Sequence, residues 1–109
     1  MAGEIDVFRA LADPTRRALL DSLHAAGGQS VNELCAQFPA MTRFGVMKHL
    51  SVLEDANLVV THRAGRTKLH HLNPVPIHEI ANRWTSKFSK PIAHALLALS
   101  DELERPTTA

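Results

Sequence analysis

The side chains with the clearest chemical potential are basic residues gathered in the middle of the chain. Between Met41 and Leu72 there are five Lys or Arg residues against two acidic residues, which leaves a local charge of +3 in a chain of net charge +1. The five are Arg43, Lys48, Arg63, Arg66 and Lys68. A basic stretch is as typical of a solvated surface as of a binding site, but nucleic acid requires only local positive charge. This segment is therefore a candidate for DNA binding.

Two short helices are predicted where the basic segment begins. Ser30 and Glu33 have the spacing of a capping box, in which side chains and backbone N–H groups satisfy each other, and the helix that they open should end at Phe38-Pro39. Thr42 is the N-cap of the next helix, predicted over residues 43–56. About four residues join the two helices, which is the spacing of a helix-turn-helix.

The second helix of such a pair enters the DNA major groove, so its exposed face would read the bases. Three apolar residues at helical spacing are predicted to face inward: Val46, Leu50 and Leu53. The opposite face and the leading end of the helix then carry the candidate DNA contacts Thr42, Arg43, Phe44, Lys48 and Ser51. Arg43 and Lys48 can donate hydrogen bonds to base acceptors, and Thr42 can meet a phosphate. Helix-turn-helix spacing alone is a weak indication, because many helix pairs bind nothing.

The hydrophobic period changes after Asn57, a residue that tolerates the left-handed conformation of a helix exit. Residues 58–63 and Thr67–Leu72 are β-branched or alternating runs, and Ala64-Gly65-Arg66 separates them, which predicts a β-hairpin. Its tip would gather Arg63, Arg66 and Lys68 beside the DNA backbone or minor groove. A basic hairpin directly after a helix-turn-helix favours DNA binding over the solvated-surface interpretation.

Helices are also predicted at both ends of the chain. Residues 4–11 and 14–25 form the first two, with Asp13-Pro14 opening the second, which buries Leu19, Leu20 and Leu23. After Asn73-Pro74, apolar residues at steps of three or four predict a long helix that Pro91 should kink or split. This stripe is more apolar than one small domain requires. We expect it to form a dimer interface with the first helix, through Ile5, Phe8, Trp84, Phe88, Leu96 and Leu99.

The predicted fold is mainly α with a small β-hairpin, a winged helix-turn-helix that dimerises through its terminal helices. A chain of 109 residues suits one domain. We expect residues 1–104 to form that domain with its C-terminal dimerisation helix, and residues 105–109 to be a frayed tail.

Three segments, in order, resemble the opening, the DNA-reading helix and the wing of the ArsR family of winged-helix repressors. They are FRALADPTRR at residues 8–17 followed by Leu19-Leu20, TRFGVMKHL at 42–50 continuing to ANLV at 56–59, and RAGR at 63–66. The resemblance implies a homodimer that pairs through its first and last helices, binds a dyad-symmetric operator in double-stranded DNA and represses transcription. It also implies that Met47 and His49 belong to the DNA-binding helix. Met47 stands where a small polar residue is common in the family, and Asn57 where glycine is.

Many ArsR family members sense metals, and the chain departs from two of their site patterns. One pattern is a Cys-x-Cys pair in the short helix before the turn. Here Gln37 replaces the second cysteine and leaves Cys35 alone on an apolar face, whereas a soft metal requires two or three thiolates. The other pattern is a zinc site on the last helices, with an Asp-x-His and a His-x-x-Glu/His arrangement that His78 and His94 do not complete.

His70 and His71 are adjacent on a predicted strand, where alternation points their rings to opposite faces, so they should not chelate a metal together. We therefore predict a repressor with no metal site and no cofactor. A repressor of the same fold that responds to a metal, or to redox through Cys35, is the alternative, and the sequence identifies no effector.

Two other classes of function fit the sequence less well. It has no Gly-rich phosphate loop, paired carboxylates or nucleophile with an orienting base, so we predict no catalytic residues and no enzyme. A protein-only interaction module would use the terminal stripe but gives no reason for a basic hairpin. A single cysteine, no secretory signal pattern and no apolar run of about 20 residues predict a cytoplasmic protein without membrane contact.

Overall fold

The structure, a computed structural model, describes residues 3–88 and 90–104, with the side chains of residues 3–88 and 94–103. The elements in chain order are α1 (Glu4–Leu11), α2 (Pro14–Ala25), α3 (Val31–Gln37), α4 (Arg43–Asp55), β1 (Val59–Ala64), β2 (Thr67–Leu72), α5 (Val75–Phe88) and α6 (Lys90–Glu104). They form two compact units, one that ends at Ile77 and one that begins at His78. The architecture is mainly α with one small hairpin, as the sequence predicts. The expected tail, residues 105–109, lies outside the described residues.

Three helices of the first unit, α2, α3 and α4, begin at the caps that the sequence predicts. The Asp13 carboxylate accepts hydrogen bonds from two backbone N–H groups at the start of α2. Ser30 and Glu33 form a capping box at α3, and Thr42 Oγ1 accepts a hydrogen bond of 3.0 Å from the N–H of Gly45 in α4. Because the first N–H groups of a helix lack intrahelical partners, these side chains determine where each helix begins.

The core of the first unit is built mainly from α2 and α4. The buried residues of these two helices are the predicted ones, Leu19, Leu20, Leu23, Val46, Leu50 and Leu53. In α3 only Leu34 is buried. Three residues at helical spacing with Leu34 are half-buried, namely Val31, Cys35 and Phe38. The Cys35 thiol is therefore not sealed in the core.

α1 leaves Ile5 and Phe8, the residues predicted for the dimer interface, outside the core of its own chain. It buries Val7 and Ala10, whereas Ile5 is 70% exposed and Phe8 is 50% exposed. Both pairs repeat at three residues, so helical spacing alone does not distinguish the two faces. Ile5 and Phe8 are consequently available to contact another surface.

The hairpin is antiparallel, with the register running from Val59↔Leu72 to Ala64↔Thr67, so that Gly65-Arg66 forms a two-residue turn. Gly65 has φ +64°, the left-handed conformation that tight hairpin turns require and glycine adopts without steric cost. The predicted hairpin is confirmed, with its turn at the predicted residues.

The exit from α4 into β1 follows the predicted route. Asn57 has φ 60°, and Leu58 is buried with its N–H donating to the carbonyl oxygen of Leu53 at 2.9 Å. Leu58 is thus part of the end of the helix rather than the first residue of the strand, and β1 begins one residue later than expected.

The terminal apolar stripe is carried by two helices. α5 ends at Phe88 and α6 begins at Lys90, while Ser89 lies outside the described residues. Pro91 is the second residue of α6, a position in the first turn where a helix tolerates the missing N–H. The predicted kink or split at Pro91 depends on the junction at Ser89, which lies outside the described residues, so it stays a prediction. No helix among the described residues is long and apolar enough to cross a membrane.

Candidate nucleic-acid interface

One face of α4 is exposed along its length, opposite the buried Val46, Leu50 and Leu53. It carries Phe44, Met47, Lys48 and Ser51, which repeat at the i, i+3, i+4 and i+7 spacing of a single helix face. Phe44 is 71% exposed and Met47 is 48% exposed. The Lys48 ammonium lies 5.7 Å from the centre of the Phe44 ring. Apolar side chains beside a cation match a major groove, which presents thymine methyl groups together with base acceptors.

The leading end of α4 adds two polar residues to this face. The Thr42 hydroxyl accepts the capping hydrogen bond from Gly45, and its own hydrogen remains available to donate. The Arg43 guanidinium donates to Asn32 Oδ1 of α3 and has four further N–H donors. A Cβ at Gly45 would lie 3.2 Å from Thr42 Oγ1, so the space beside this glycine is taken by the cap.

The wing tip is basic, but its three cations have different surroundings. Arg63 and Arg66 are exposed, and Arg66 lies in the hairpin turn. Lys68 instead forms an ion pair with Glu54 of α4, at 3.0 Å between Nζ and Oε1. Because Arg63 and Lys68 are direct cross-strand partners, Glu54 also offsets the repulsion between two like charges.

His49 does not share the exposed face of α4. Its ring is half-buried, and Nδ1 accepts a hydrogen bond of 3.3 Å from Nη1 of Arg16 in α2. The same guanidinium donates to the carbonyl oxygens of Ala10 at 2.8 Å and Arg9 at 2.9 Å. Arg16 thus satisfies carbonyl oxygens at the C-terminal end of α1 that lack intrahelical partners, and its contacts join α1, α2 and α4.

Arg17 has a related role, because its Nη1 donates to the carbonyl oxygen of Leu11 at 2.6 Å. The sequence interpretation assigned no role to Arg16 or Arg17. A signal was available, since two arginines in the first turn of a helix that starts at Asp-Pro can reach back to the end of the preceding helix. The contact with His49 requires the tertiary fold.

Comparison with known proteins identifies the family. A family model described as a helix-turn-helix domain matches residues 11–62. YuzN, an uncharacterized HTH-type transcriptional regulator of Bacillus subtilis (strain 168), is 36% identical over 83 residues, 72% of this chain and 90% of that protein. The transcriptional repressor SdpR of the same organism is 30% identical over 83 residues, 76% of this chain and 89% of that protein. The crystal structure of an ArsR family transcriptional regulator matches with a TM-score of 0.61 and 32% identity, covering 99% of this chain and 100% of the other. The chain belongs to the ArsR family.

This ArsR family member is a DNA-binding transcriptional regulator. Its helix-turn-helix consists of α3 and α4, and the hairpin β1–β2 is its wing. The exposed face of α4, the leading end at Thr42 and Arg43, and the wing tip at Arg66 each combine exposure with groups able to bind DNA.

Three of the residues considered in the metal-site patterns, Gln37, His70 and His71, have other contacts in this ArsR regulator. Gln37, which stands in place of a second cysteine, donates from Nε2 to Gln29 Oε1 at 2.6 Å. His70 is buried and its Nδ1 donates to the carbonyl oxygen of Gln29 at 2.9 Å. His71 faces the other side of the strand, as predicted, and its Nε2 hydrogen-bonds to His62 Nδ1 at 2.9 Å with the rings stacked. Within residues 3–88 and 90–104, no three His, Cys, Asp or Glu side chains are grouped to hold a metal.

The residues predicted for a dimer interface are all exposed in the single chain. They are Ile5, Phe8, Trp84, Phe88, Leu96 and Leu99. On α5 the rings of Trp84 and Phe88 stack with centres 5.1 Å apart, and the Lys87 ammonium lies over both. On α6 the exposed apolar residues include Leu97 and Leu103 as well. Large apolar side chains on exposed helix faces are typical of an association surface.

Proposed function

We propose that this ArsR regulator represses transcription as a homodimer on a dyad-symmetric operator, with α4 in the major groove and the wing tip on the adjacent backbone or minor groove. The main observation behind the proposal is the exposed face of α4. Phe44, Met47, Lys48 and Ser51 share this face, and Arg43 lies at the leading end of the helix. A major groove admits one helix, and these five side chains supply both donors and apolar contacts for base edges.

The proposed DNA contacts are of two kinds. Arg43 and Lys48 read base acceptors, while Phe44 and Met47 pack against thymine methyl groups. Thr42, Arg63 and Arg66 bind phosphates and fix the orientation of the protein without reading the sequence. Ser51 lies at the far end of the face and contacts a base or phosphate. His49 and Lys68 contribute through Arg16 and Glu54, by holding α4 and the wing in place.

The homodimer is proposed because two half-sites are bound best by a symmetric pair, and because exposed apolar residues on α1, α5 and α6 require cover. The proposed regulator acts by occupying DNA in the cytoplasm and catalyses no reaction. It is also proposed to work without a metal or other cofactor, since Gln37 replaces a thiolate and is hydrogen-bonded to Gln29.

Selection from a pool of random duplexes tests this proposal. We expect repeated rounds of binding to enrich a sequence with two inverted half-sites whose centres lie about one helical turn, roughly 10 bp, or a multiple of it apart. Binding to the unselected pool should weaken steeply with added salt, because phosphate contacts release counterions. Failure to enrich any sequence would overturn the proposal, as would enrichment of a single unpaired half-site.

A further inference from the structure

A hydrogen-bonded chain of side chains connects α3 to the loop before it. Gln37, the last residue of α3, donates to Gln29 Oε1 at 2.6 Å and accepts from Ser22 Oγ at 2.6 Å. Gln29 is 5% exposed, and its Nε2 donates to the carbonyl oxygens of Ala26 at 2.7 Å and Ser22 at 3.0 Å. Every polar atom of the Gln29 amide is thus engaged, which fixes the direction of this side chain.

The same Gln29 is joined to the wing through its backbone. It forms an isolated antiparallel bridge with His70 of β2, with N–H to carbonyl distances of 3.2 Å and 2.8 Å. The buried His70 ring adds a third hydrogen bond, from Nδ1 to the Gln29 carbonyl oxygen at 2.9 Å. Gly28 also donates to the His70 carbonyl oxygen at 2.9 Å. A continuous path therefore runs from the end of α3 through Gln37, Gln29 and His70 into β2; we name these three residues the amide relay.

The wing requires hydrogen bonds to the rest of the first unit to hold its direction. It consists of two strands, and an isolated two-stranded hairpin is marginally stable in water. Its tip at Arg66 lies in the turn that precedes β2, four residues before His70, so a change of direction at His70 moves the tip. Hydrogen bonds weaken over fractions of an ångström, which makes phosphate contacts from the tip sensitive to that direction.

We propose that Gln37 and Gln29 are positioning residues that set the wing relative to α4, so that α4 and Arg66 engage the same DNA segment together. This inference rests on the proposed DNA-binding mode. It assigns to Gln37 an effect on DNA affinity that is exerted through the wing tip, although Gln37 is not one of the proposed DNA contacts.

A double-mutant cycle tests the inference. The variants are Gln37→Ala, Arg66→Ala and the two combined, measured by fluorescence anisotropy on the selected operator. We expect each single variant to weaken binding, Gln37→Ala by roughly three- to tenfold, and the combined variant to bind no more weakly than Arg66→Ala alone. The reason is that both changes lose the same contact, the one between Arg66 and a DNA phosphate. Gln37→Ala loses it by displacing the wing tip, and Arg66→Ala loses it by removing the guanidinium. Hydroxyl-radical footprints of Gln37→Ala should lose protection beside the wing and keep it along the major groove read by α4.

Two further variants separate positioning from general damage. Ser22→Ala removes the hydroxyl that donates to Gln37 and should show the same dependence on Arg66 as Gln37→Ala does. Ala36→Gln places an amide at the neighbouring exposed position of α3 and should leave affinity and footprint unchanged. If Gln37→Ala weakens binding by the same factor with and without Arg66, or leaves the footprint intact, the relay does not position the wing. Absence of a selected operator would overturn the proposed function instead.

Discussion

At the residue scale, the side chain of Arg16 explains why the start of the chain packs as it does. One guanidinium binds two terminal carbonyls of α1 and the ring of His49 in α4. Its backbone N–H is at the same time held by Asp13, the N-cap of α2. The Asp-Pro-Thr-Arg segment is therefore both a helix start and the clamp that joins three helices.

Asp13 gives this clamp a dependence on pH. Hydrogen bonds from the backbone N–H groups of Arg16 and Thr15 hold the pKa of the Asp13 carboxyl below its usual value of 3.8. A lowered pKa in the folded state means that the carboxylate stabilises the fold above the unfolded pKa, and that this stabilisation is lost as pH falls through the folded pKa.

We predict that Asp13→Asn, which keeps a side-chain oxygen at the cap, loses this pH dependence. The Tm difference between wild type and Asp13→Asn should be constant near neutral pH and should shrink as the pH falls below 3.8. Thermal unfolding followed by circular dichroism from pH 7 to pH 2 measures it. A difference that stays the same over that range would show that the charge of Asp13 contributes nothing.

Much at this scale could be predicted from the sequence, because a cap acts on backbone groups two or three residues away. Asp13, Ser30 and Thr42 are caps in the structure as their local patterns indicate. The partners of Lys68 and His49 could not be predicted, since Glu54 and Arg16 come near only through tertiary packing.

At the element scale, the junction between α4 and the wing depends on one left-handed residue. Asn57 has φ 60°, and its carbonyl oxygen accepts a hydrogen bond of 2.8 Å from Asn73 Nδ2. Asparagine tolerates this conformation better than other residues with a Cβ, and glycine adopts it without strain.

We predict that Asn57→Ala lowers the free energy of unfolding by about 1 kcal/mol, because alanine is strained at positive φ. Asn57→Gly should be the milder change at the same position, since glycine has no Cβ to strain and the carbonyl that Asn73 binds is kept. Urea unfolding of both variants measures the effect. Equal destabilisation by alanine and glycine would show that the conformation of this residue is not what matters.

The elements themselves were predictable where the turn residues and the hydrophobic periodicity indicate the same boundary, as in the two-residue turn at Gly65-Arg66. Once that turn is fixed, the register follows, and His62 and His71 become diagonal neighbours on one face of the hairpin. The buried face of α1 was not predictable, because Ile5 and Phe8 repeat at the same spacing as the buried Val7 and Ala10. Only the neighbours of α1 decide between the two faces.

At the scale of the whole molecule, the proposed dimer accounts for the exposed apolar residues of α1, α5 and α6. We predict that the wild-type protein sediments as a dimer at micromolar concentration and that Leu96→Glu with Leu99→Glu converts it to a monomer. Two buried carboxylates in an apolar interface would be charged and unpaired, which opposes association. Analytical ultracentrifugation measures the change.

The matched control for the dimer is Ala98→Glu, which adds one carboxylate to an exposed position of α6 away from the apolar row. It should remain dimeric. The double glutamate variant should keep the helical circular dichroism of the folded chain and lose operator affinity, because one protomer holds one half-site. A monomeric wild type, or a dimer that survives both glutamates, would contradict the proposed interface.

The most direct test of the account compares Lys48→Ala and Arg66→Ala on the selected operator and on a random duplex of equal length, at one salt concentration. We predict that Lys48→Ala reduces the ratio of operator to random affinity by roughly five- to 150-fold, since a base contact is worth about 1–3 kcal/mol, whereas Arg66→Ala weakens both duplexes by a similar factor. Equal losses on both duplexes for Lys48→Ala would show that α4 does not read the operator through this face.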